Sequence, residues 1–259
     1  MKIFSWKINN FKKIIENENF KNLLYLLEYK YDIICLQEVN INNYKNELLE
    51  KLKNEYPFIY NSNYKNNNYK LNIWSKLKPV NIVENFNIEL NGRVIGLEFE
   101  NYILINTIVP ETDKLKSNNF KFREDWNSNF FNYIQKIKVK YPNKELIICG
   151  DMSVAHNDID ITFPKEKKNK IAGFFDIERS DFAYLLEIND LVDVYREKNP
   201  LKKKSSFWNK DLTTKRKHDN GWRLDYFLTS EKILDKIVNY DFLIDMKGST
   251  HCPITIELE

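Results

Sequence analysis

The chain has 259 residues, 42% hydrophobic and 14% aromatic, enough apolar material for a sizeable core within one α/β or all-β unit. Its 40 Lys+Arg nearly balance 37 Asp+Glu for a formal net charge of +3, which excludes a chain-wide basic footprint and leaves room only for a local basic face. The abundance of Asn, Lys, Ile, Tyr and Phe, with only 6 Gly, reads as the codon bias of an AT-rich genome.

The opening stretch MKIFSWKINNF is a strand pattern, unlike a signal or transit peptide. Apolar runs of strand length follow at Lys2–Trp6, Asp32–Leu36, Leu71–Trp74, Val80–Val83, Arg93–Phe99, Tyr102–Ile108, Glu145–Cys149, Arg223–Leu228 and Pro253–Leu258. Between them, helical spacing predicts helices over Glu16–Tyr29, Phe122–Val139 and Ser180–Glu187. The Asn-rich stretch 61–68 and the basic stretch Lys165–Lys170 read as loops. Strands dominate, so the expected fold is a single α/β domain over residues 1–259, two packed sheets covered by outer helices.

Cys35, Cys149 and Cys252 each lie in or beside an apolar run, without CxxC spacing. This predicts buried thiols and a reducing, intracellular compartment: cytoplasm, nucleus or an organelle. No apolar run approaches the ~20 residues that cross a bilayer, so a membrane is not an expected partner.

Polar groups gather where these strands end. Lys7 follows Phe4-Ser5-Trp6, and Gln37-Glu38 follow Ile33–Leu36. The segment GDMSVAH presents Asp151 and Ser153 behind Leu146–Cys149, with Asp158 and Asp160 after it. Gly221–Phe227 and Gly248–Ile254 carry Arg223, Asp225 and His251, and all three histidines (His156, His218, His251) fall in or near these segments. A rigid scaffold presents an active site in this way, at one edge of its sheets.

The stretches SWKIN, IICLQE, GRVIGLEFENYILINTIVP, FREDW, GDMSVAH, LVDVYR, GWRLDYFLTS and GSTHCPI stand in one order along the chain. Together they resemble the exonuclease III / AP endonuclease branch of the endonuclease–exonuclease–phosphatase superfamily. The resemblance implies a four-layered α/β sandwich of the DNase I-like kind and Mg²⁺-dependent cleavage of DNA phosphodiesters. It assigns Glu38 to the metal, Asp151 to the attacking water, Asp225 to the metal surroundings and His251 to catalysis. Arg123, Trp222 and Arg223 match positions near the nucleic acid, although Arg123 could equally pair with Glu124 or Asp125, and Arg223 could be packing.

Six positions depart from the family pattern: Lys7 and Ser153 replace asparagines, Asn10 a glycine, Thr250 the aspartate expected to orient His251, Ile108 a tyrosine, and Glu111 an asparagine that faces phosphate. Lys7 brings an ammonium within expected reach of Glu38 or Asp225, filling the metal's electrostatic role without a Lewis acid. Thr250 carries no charge to support an imidazolium, Ile108 no hydroxyl, and Glu111 opposes phosphate.

Three readings follow. The favoured one is a degenerate member with little or no nuclease activity and no bound Mg²⁺, kept as a nucleic-acid-binding or structural subunit, of a larger nucleoprotein assembly in one version. The second is an active Mg²⁺-dependent DNA repair nuclease with a rearranged site. The third is a protein-interaction module. The basic runs Lys165–Lys170 and Lys202–Lys204 serve as phosphate contacts only if they share a face.

Overall fold

The computed structural model describes residues 1–8, 25–39, 47–62, 71–209 and 216–259. Asn10 and most of the helix expected over Glu16–Tyr29 lie outside this set, as does most of the Asn-rich stretch; residues 25–28 are helical.

Two sheets form the frame. In chain order the strands are β1 (Lys2–Lys7), β2 (Ile33–Gln37), β3 (Phe58–Asn61), β4 (Asn72–Ser75), β5 (Asn81–Ile82), β6 (Val94–Glu98), β7 (Tyr102–Ile108), β8 (Glu145–Asp151), β9 (Leu191–Asp193), β10 (Asp225–Ser230), β11 (Ile237–Phe242) and β12 (Ile254–Leu258). The first sheet runs β11-β12-β1-β2-β4-β3 and the second β5-β6-β7-β8-β10-β9. Pairs β1·β2 and β7·β8 are parallel, whereas β12 and β10 lie antiparallel beside them.

The period of two along each strand builds the layers. Ile3, Ile33, Cys35, Ile254 and Ile256 of the first sheet meet Leu104, Ile147, Cys149 and Phe227 of the second in one central core. The alternate residues Phe4, Trp6, Ile34, Leu36 and Trp74 turn outward, onto Leu49 and Leu52 of helix α1 (Glu47–Glu55) and onto Leu26. On the far side Ile103, Ile105, Ile148 and Leu228 pack against α2 (Asn118–Lys140) and α4 (Asp176–Asn189), through Trp126, Phe130, Ile134, Ile137, Phe182 and Leu185. Ser117 caps α2, its Oγ accepting the Phe120 amide at 3.0 Å. The short helices α3 (Pro164–Lys167), α5 (Val194–Lys198) and α6 (Glu231–Leu234) sit in the connections.

The result is helix, sheet, sheet, helix: the expected four-layered sandwich. No helix among the described residues is long and apolar enough to cross a membrane. The three cysteines are free and buried. Gly150 has φ +134°, and a Cβ there would lie 1.9 Å from the Thr107 carbonyl oxygen of the neighbouring strand, so only glycine lets β8 deliver Asp151 at this register.

Candidate functional site

One end of the sandwich collects the polar residues. β1, β2 and β8 finish there, and β10 and β12 begin there. On β1 the inward face reads Ile3, Ser5, Lys7, and on β8 it reads Ile147, Cys149, Asp151, so the same alternation that fills the core ends in a charge. Antiparallel pairing sets Asp225 opposite Asp151.

Lys7 is the centre of the site. Its side chain is only 2% exposed, and Nζ lies 2.7 Å from Glu111, 2.9 Å from Asp151 and 3.7 Å from Glu38. Burial alone would push the ammonium down, but Asp151, Glu38 and Glu111 together hold it above the ordinary lysine range. Asp151 shows the reciprocal effect: burial works against its charge, while Lys7 and His251 keep it below the ordinary carboxylate range. Glu38 goes the other way, raised by burial that Lys7 offsets only in part. The expected ion pair with Glu38 therefore forms, but at the longest of the three distances. The expected alternative partner, Asp225, is engaged elsewhere.

Asp225 Oδ2 lies 2.8 Å from His251 Nδ1, with both residues buried. This gives Asp225 a role that the resemblance did not assign to it, as the partner of His251. The imidazole is oriented by Asp225 from the other sheet, so Thr250 does not deprive it of a carboxylate. The His251 carbonyl is held from behind by Trp6 Nε1 at 3.0 Å and by the Arg216 guanidinium at 3.1 Å, and the same guanidinium donates to the carbonyls of Ile244, Met246 and Ser249.

Other departures also rearrange. Ile108 is 1% exposed and packs into the central core, as the register partner of Asp151 on β7. Lys7 and Glu111, two substitutions that looked independent, pair with each other. Ser153 binds Asp151 from a left-handed backbone (φ 50°), through its amide at 2.7 Å and its hydroxyl at 3.3 Å.

A cavity of about 720 Å³ opens over this cluster, lined by Lys7, Glu111, Ser153, Lys167, Phe207, Trp222, Thr250 and His251. Isolated β-bridges tie Phe207 to both Trp222 and His251, forming one wall. Gly221 permits that wall, since a Cβ there would meet the Phe207 carbonyl oxygen at 2.3 Å. Only His251 of the three histidines lines the cavity: His218 is exposed, and His156 packs edge-on against Phe182 with its pKa lowered by burial.

Two expected nucleic-acid contacts are internal. Arg123 is buried in α2 and donates to the carbonyls of Pro110 and Met152 and to Asn127, so it ties together the turns that carry Glu111 and Ser153. Arg223 is fully buried between Asp160 and Asp193. Trp222 alone of the three reaches the cavity.

One lysine of the second basic run reaches the segment that leads into the first. Lys203 Nζ donates to Thr162 Oγ1 at 2.8 Å, just ahead of α3, and Lys167 stands 5.4 Å over the Trp222 ring.

Below Lys7 lies a polar layer that sequence reading missed. Gln37 Nε2 bonds Ser5 Oγ at 3.0 Å and Asn106 Oδ1 at 2.7 Å, and Asn106 Nδ2 bonds the Leu36 and Asn72 carbonyls, joining the two sheets. The signal was present: Asn106 interrupts the apolar run YILINTI on its inward phase.

A hard divalent cation such as Mg²⁺ takes oxygen ligands from one or two carboxylates plus water. Here the oxygens of Asp151 and Glu38 already face the Lys7 ammonium, and the same ammonium takes Glu111. With Lys7 in place the residues present do not fit the metal.

The sequence matches the Endonuclease/Exonuclease/phosphatase family over residues 4–238. It is 32% identical to an exodeoxyribonuclease of Bacillus subtilis over 99% of this chain and 98% of that one. It is 35% identical to a DNA-(apurinic or apyrimidinic site) endonuclease of Dictyostelium discoideum, covering 100% of this chain and 71% of that protein. The fold superposes on an AP endonuclease from Archaeoglobus fulgidus with a TM-score of 0.84 at 24% identity, covering 100% and 99% of the two chains. By sequence and by fold, the chain belongs to the endonuclease–exonuclease–phosphatase family, on its exonuclease III / AP endonuclease branch.

Proposed function

We propose that this protein binds nucleic acid through the family's cavity and rim and has given up most metal-dependent hydrolysis. The observation that carries this reading is the Lys7 ammonium among Glu38, Asp151 and Glu111. The position where a cation would polarise a phosphoryl oxygen is filled by a group with no open coordination site and no bound water to ionise. One ammonium facing three carboxylates also leaves the centre no surplus of positive charge for phosphate.

Binding then rests on the rim. Lys167 stands over Trp222, whose half-buried ring offers a stacking face, Lys203 is seated on Thr162, which bonds the Gly221 carbonyl, and His251 Nε2 is free of the Asp225 bond made by Nδ1. The names of the relatives support a nucleic-acid partner, as does a Neisseria 3′ phosphatase of the same fold bound to a product DNA hairpin.

The test is an abasic-site duplex and a single-stranded DNA incubated with Mg²⁺ or Mn²⁺, beside the Bacillus subtilis enzyme as reference. Cleavage should fall at least about 10⁴-fold below the reference, since losing one preorganised electrostatic group commonly costs ~10²–10³ and the metal contributes more. Salt-sensitive binding should persist. Metal-dependent cleavage near the reference rate that disappears in Glu38→Ala overturns the reading.

That outcome would favour the active-nuclease reading, which one observation supports: the His251–Asp225 pair is intact beside the cavity.

The rim makes its own prediction. Lys167→Ala with Lys203→Ala should weaken binding similarly across sequences and flatten the log Kd against log [salt] slope by about 1 per lysine. An unchanged slope would remove these lysines from the interface.

A further inference from the structure

We propose that a second cavity, at the same end of the sandwich but between the outer strands of the two sheets, takes one unpaired nucleobase. This rests on the reading above, that the protein binds nucleic acid, and names what the strand presents away from Lys7. The cavity has a volume of about 560 Å³, the size of a small-ligand site, and shares no lining residue with the cavity over Lys7.

Three features carry it. The first is Tyr133 of α2, which is 2% exposed. Its ring packs on Phe86 at 5.9 Å, but its hydroxyl has no hydrogen-bond partner among the described residues. A buried hydroxyl left without a partner is costly, and the polar edge of a ligand supplies one. Gly96 gives that hydroxyl its place: a Cβ there would meet both the hydroxyl and Val83 Cβ at 2.8 Å, and all three residues line the cavity. The second feature is a wall built in advance. Trp126 Nε1 and Asn129 Nδ2 hold the carbonyls of Leu90 and Glu89 at 3.2 and 3.1 Å, and the Asn87 amide donates to Asn85 Oδ1 at 3.2 Å. The third is the lining itself. Val83, Ile88, Leu90 and Ile95 give it buried apolar sides. No Lys or Arg stands among the described lining residues, and the one carboxylate, Glu89, already accepts the Asn91 backbone amide at 3.0 Å.

This chemistry selects the occupant. A phosphate finds no cation here, and a cation meets only the engaged Glu89. A nucleobase is neutral and flat: its faces bury on aliphatic side chains, and its edge meets a hydroxyl that can donate or accept. Strand register places the cavity beside the nucleic-acid end. Val94 pairs with Thr107 and Thr107 with Gly150, so the cavity lies two strand spacings, roughly 10 Å, from the strand that carries Asp151. Asn61 pairs with Asn72 and Asn72 with Leu36, two residues before Glu38. A strand crossing the Lys7 end has this opening within reach, and only a base free of its partner presents an edge to Tyr133.

Methyl NMR on isoleucine-labelled protein reads the cavity through Ile82, Ile88 and Ile95. A short single-stranded DNA and free adenosine should each move these resonances, and a fully paired duplex should leave them in place. Tyr133→Phe should weaken both ligands about tenfold at these methyls, the loss of one hydrogen bond. Its melting temperature should be equal or higher, because the hydroxyl gives up no internal partner. A merely structural tyrosine would show the reverse, a lower melting temperature with affinity unchanged, and that result overturns the site. Methyls that stay still with both ligands overturn it as well. Methyls that move with adenosine, but not with a single strand bound elsewhere on the protein, overturn the strand as the source of the base. Failure of any DNA to bind would instead sink the proposed function, and the adenosine titration would still decide the cavity.

Discussion

Lys7→Met lowers folding stability by about 3–5 kcal/mol at neutral pH in EDTA, the usual cost of removing one partner from a buried ion pair. The cost comes from Asp151, which is 1% exposed and keeps its charge because Lys7 Nζ sits 2.9 Å away. Methionine fills the volume of the lysine stem without the charge, so a cavity contributes little to the loss. The pH dependence separates this cause from mispacking. In the wild type Asp151 is held below the ordinary carboxylate range, so its contribution is fully present above the unfolded-chain value of ~3.9 and is lost as pH falls through the lower native value. Lys7 is raised, so its contribution is fully present below the unfolded-chain value of ~10.4 and is lost only as pH rises through the higher native value. Neutral pH lies between these limits, where the pair stabilises most. In Lys7→Met burial still opposes the Asp151 charge and only His251 and Ser153 remain to offset it, so its native value rises relative to the wild type and the folded variant takes up its proton at higher pH than the wild type does. The deficit relative to wild type should therefore shrink from pH 7 toward pH 4. Urea unfolding at a series of pH values measures this, and a deficit constant with pH would assign the loss to packing.

The layers of the fold were legible because period-two alternation on a buried sheet is a strong signal. Phe4 and Trp6 face one way and Ile3 and Ser5 the other, and the nine strand runs all contain observed strands. Three of the elements that escaped, unlike β3 with its Phe58-Ile59-Tyr60 run, have weak patterns. β11 is an edge strand with only Ile237 and Phe242 buried, β9 has three residues, and α1 turns Leu49 and Leu52 inward from an otherwise charged stretch.

The site was legible in position and less so in wiring. Asp151, Glu38 and His251 could be placed at one sheet edge from their strand-end context. Which carboxylate pairs with which cation depends on register and on loops distant in sequence, and no local pattern encodes that. Asp225 meets His251 because β10 and β12 both begin at this edge, in different sheets, and Glu111 meets Lys7 across 104 residues. Substitutions judged one at a time looked like separate losses. In three dimensions Lys7 and Glu111 answer each other, Asp225 supplies what Thr250 lacks, and Ile108 belongs to the core.

Arg223 draws the same distinction between site and scaffold, and its replacement should be nearly as costly as that of Lys7. The guanidinium is fully buried and doubly forked, onto Asp160 at 2.8 and 3.0 Å and onto Asp193 at 2.9 and 2.6 Å. It also lies 4.3 Å from the centre of the Tyr226 ring. Asp193 caps α5 and Asp160 closes the turn after GDMSVAH, so one side chain fastens two connections beneath the cavity wall. Arg196 backs the pair through a second contact to Asp160. Arg223→Met should lose about 3–5 kcal/mol, because two carboxylates then remain buried with one partial partner. Adding Asp160→Asn and Asp193→Asn should recover part of that loss, since it removes the stranded charges rather than restoring the bond. Asp160 is held below the ordinary carboxylate range although burial opposes its charge, so the Arg223 contribution is present above that range and fades as pH falls through the native value. A residue that touched phosphate would behave differently. Its loss would flatten the salt dependence of nucleic-acid binding by about 1 unit and leave stability nearly unchanged. Denaturation and binding measured on the same Arg223→Met protein, at a temperature where it remains folded, distinguish the two. A stable variant with a flattened slope would return Arg223 to the interface; an unstable one with an unchanged slope keeps it in the frame that holds Trp222 and Asp225 in place.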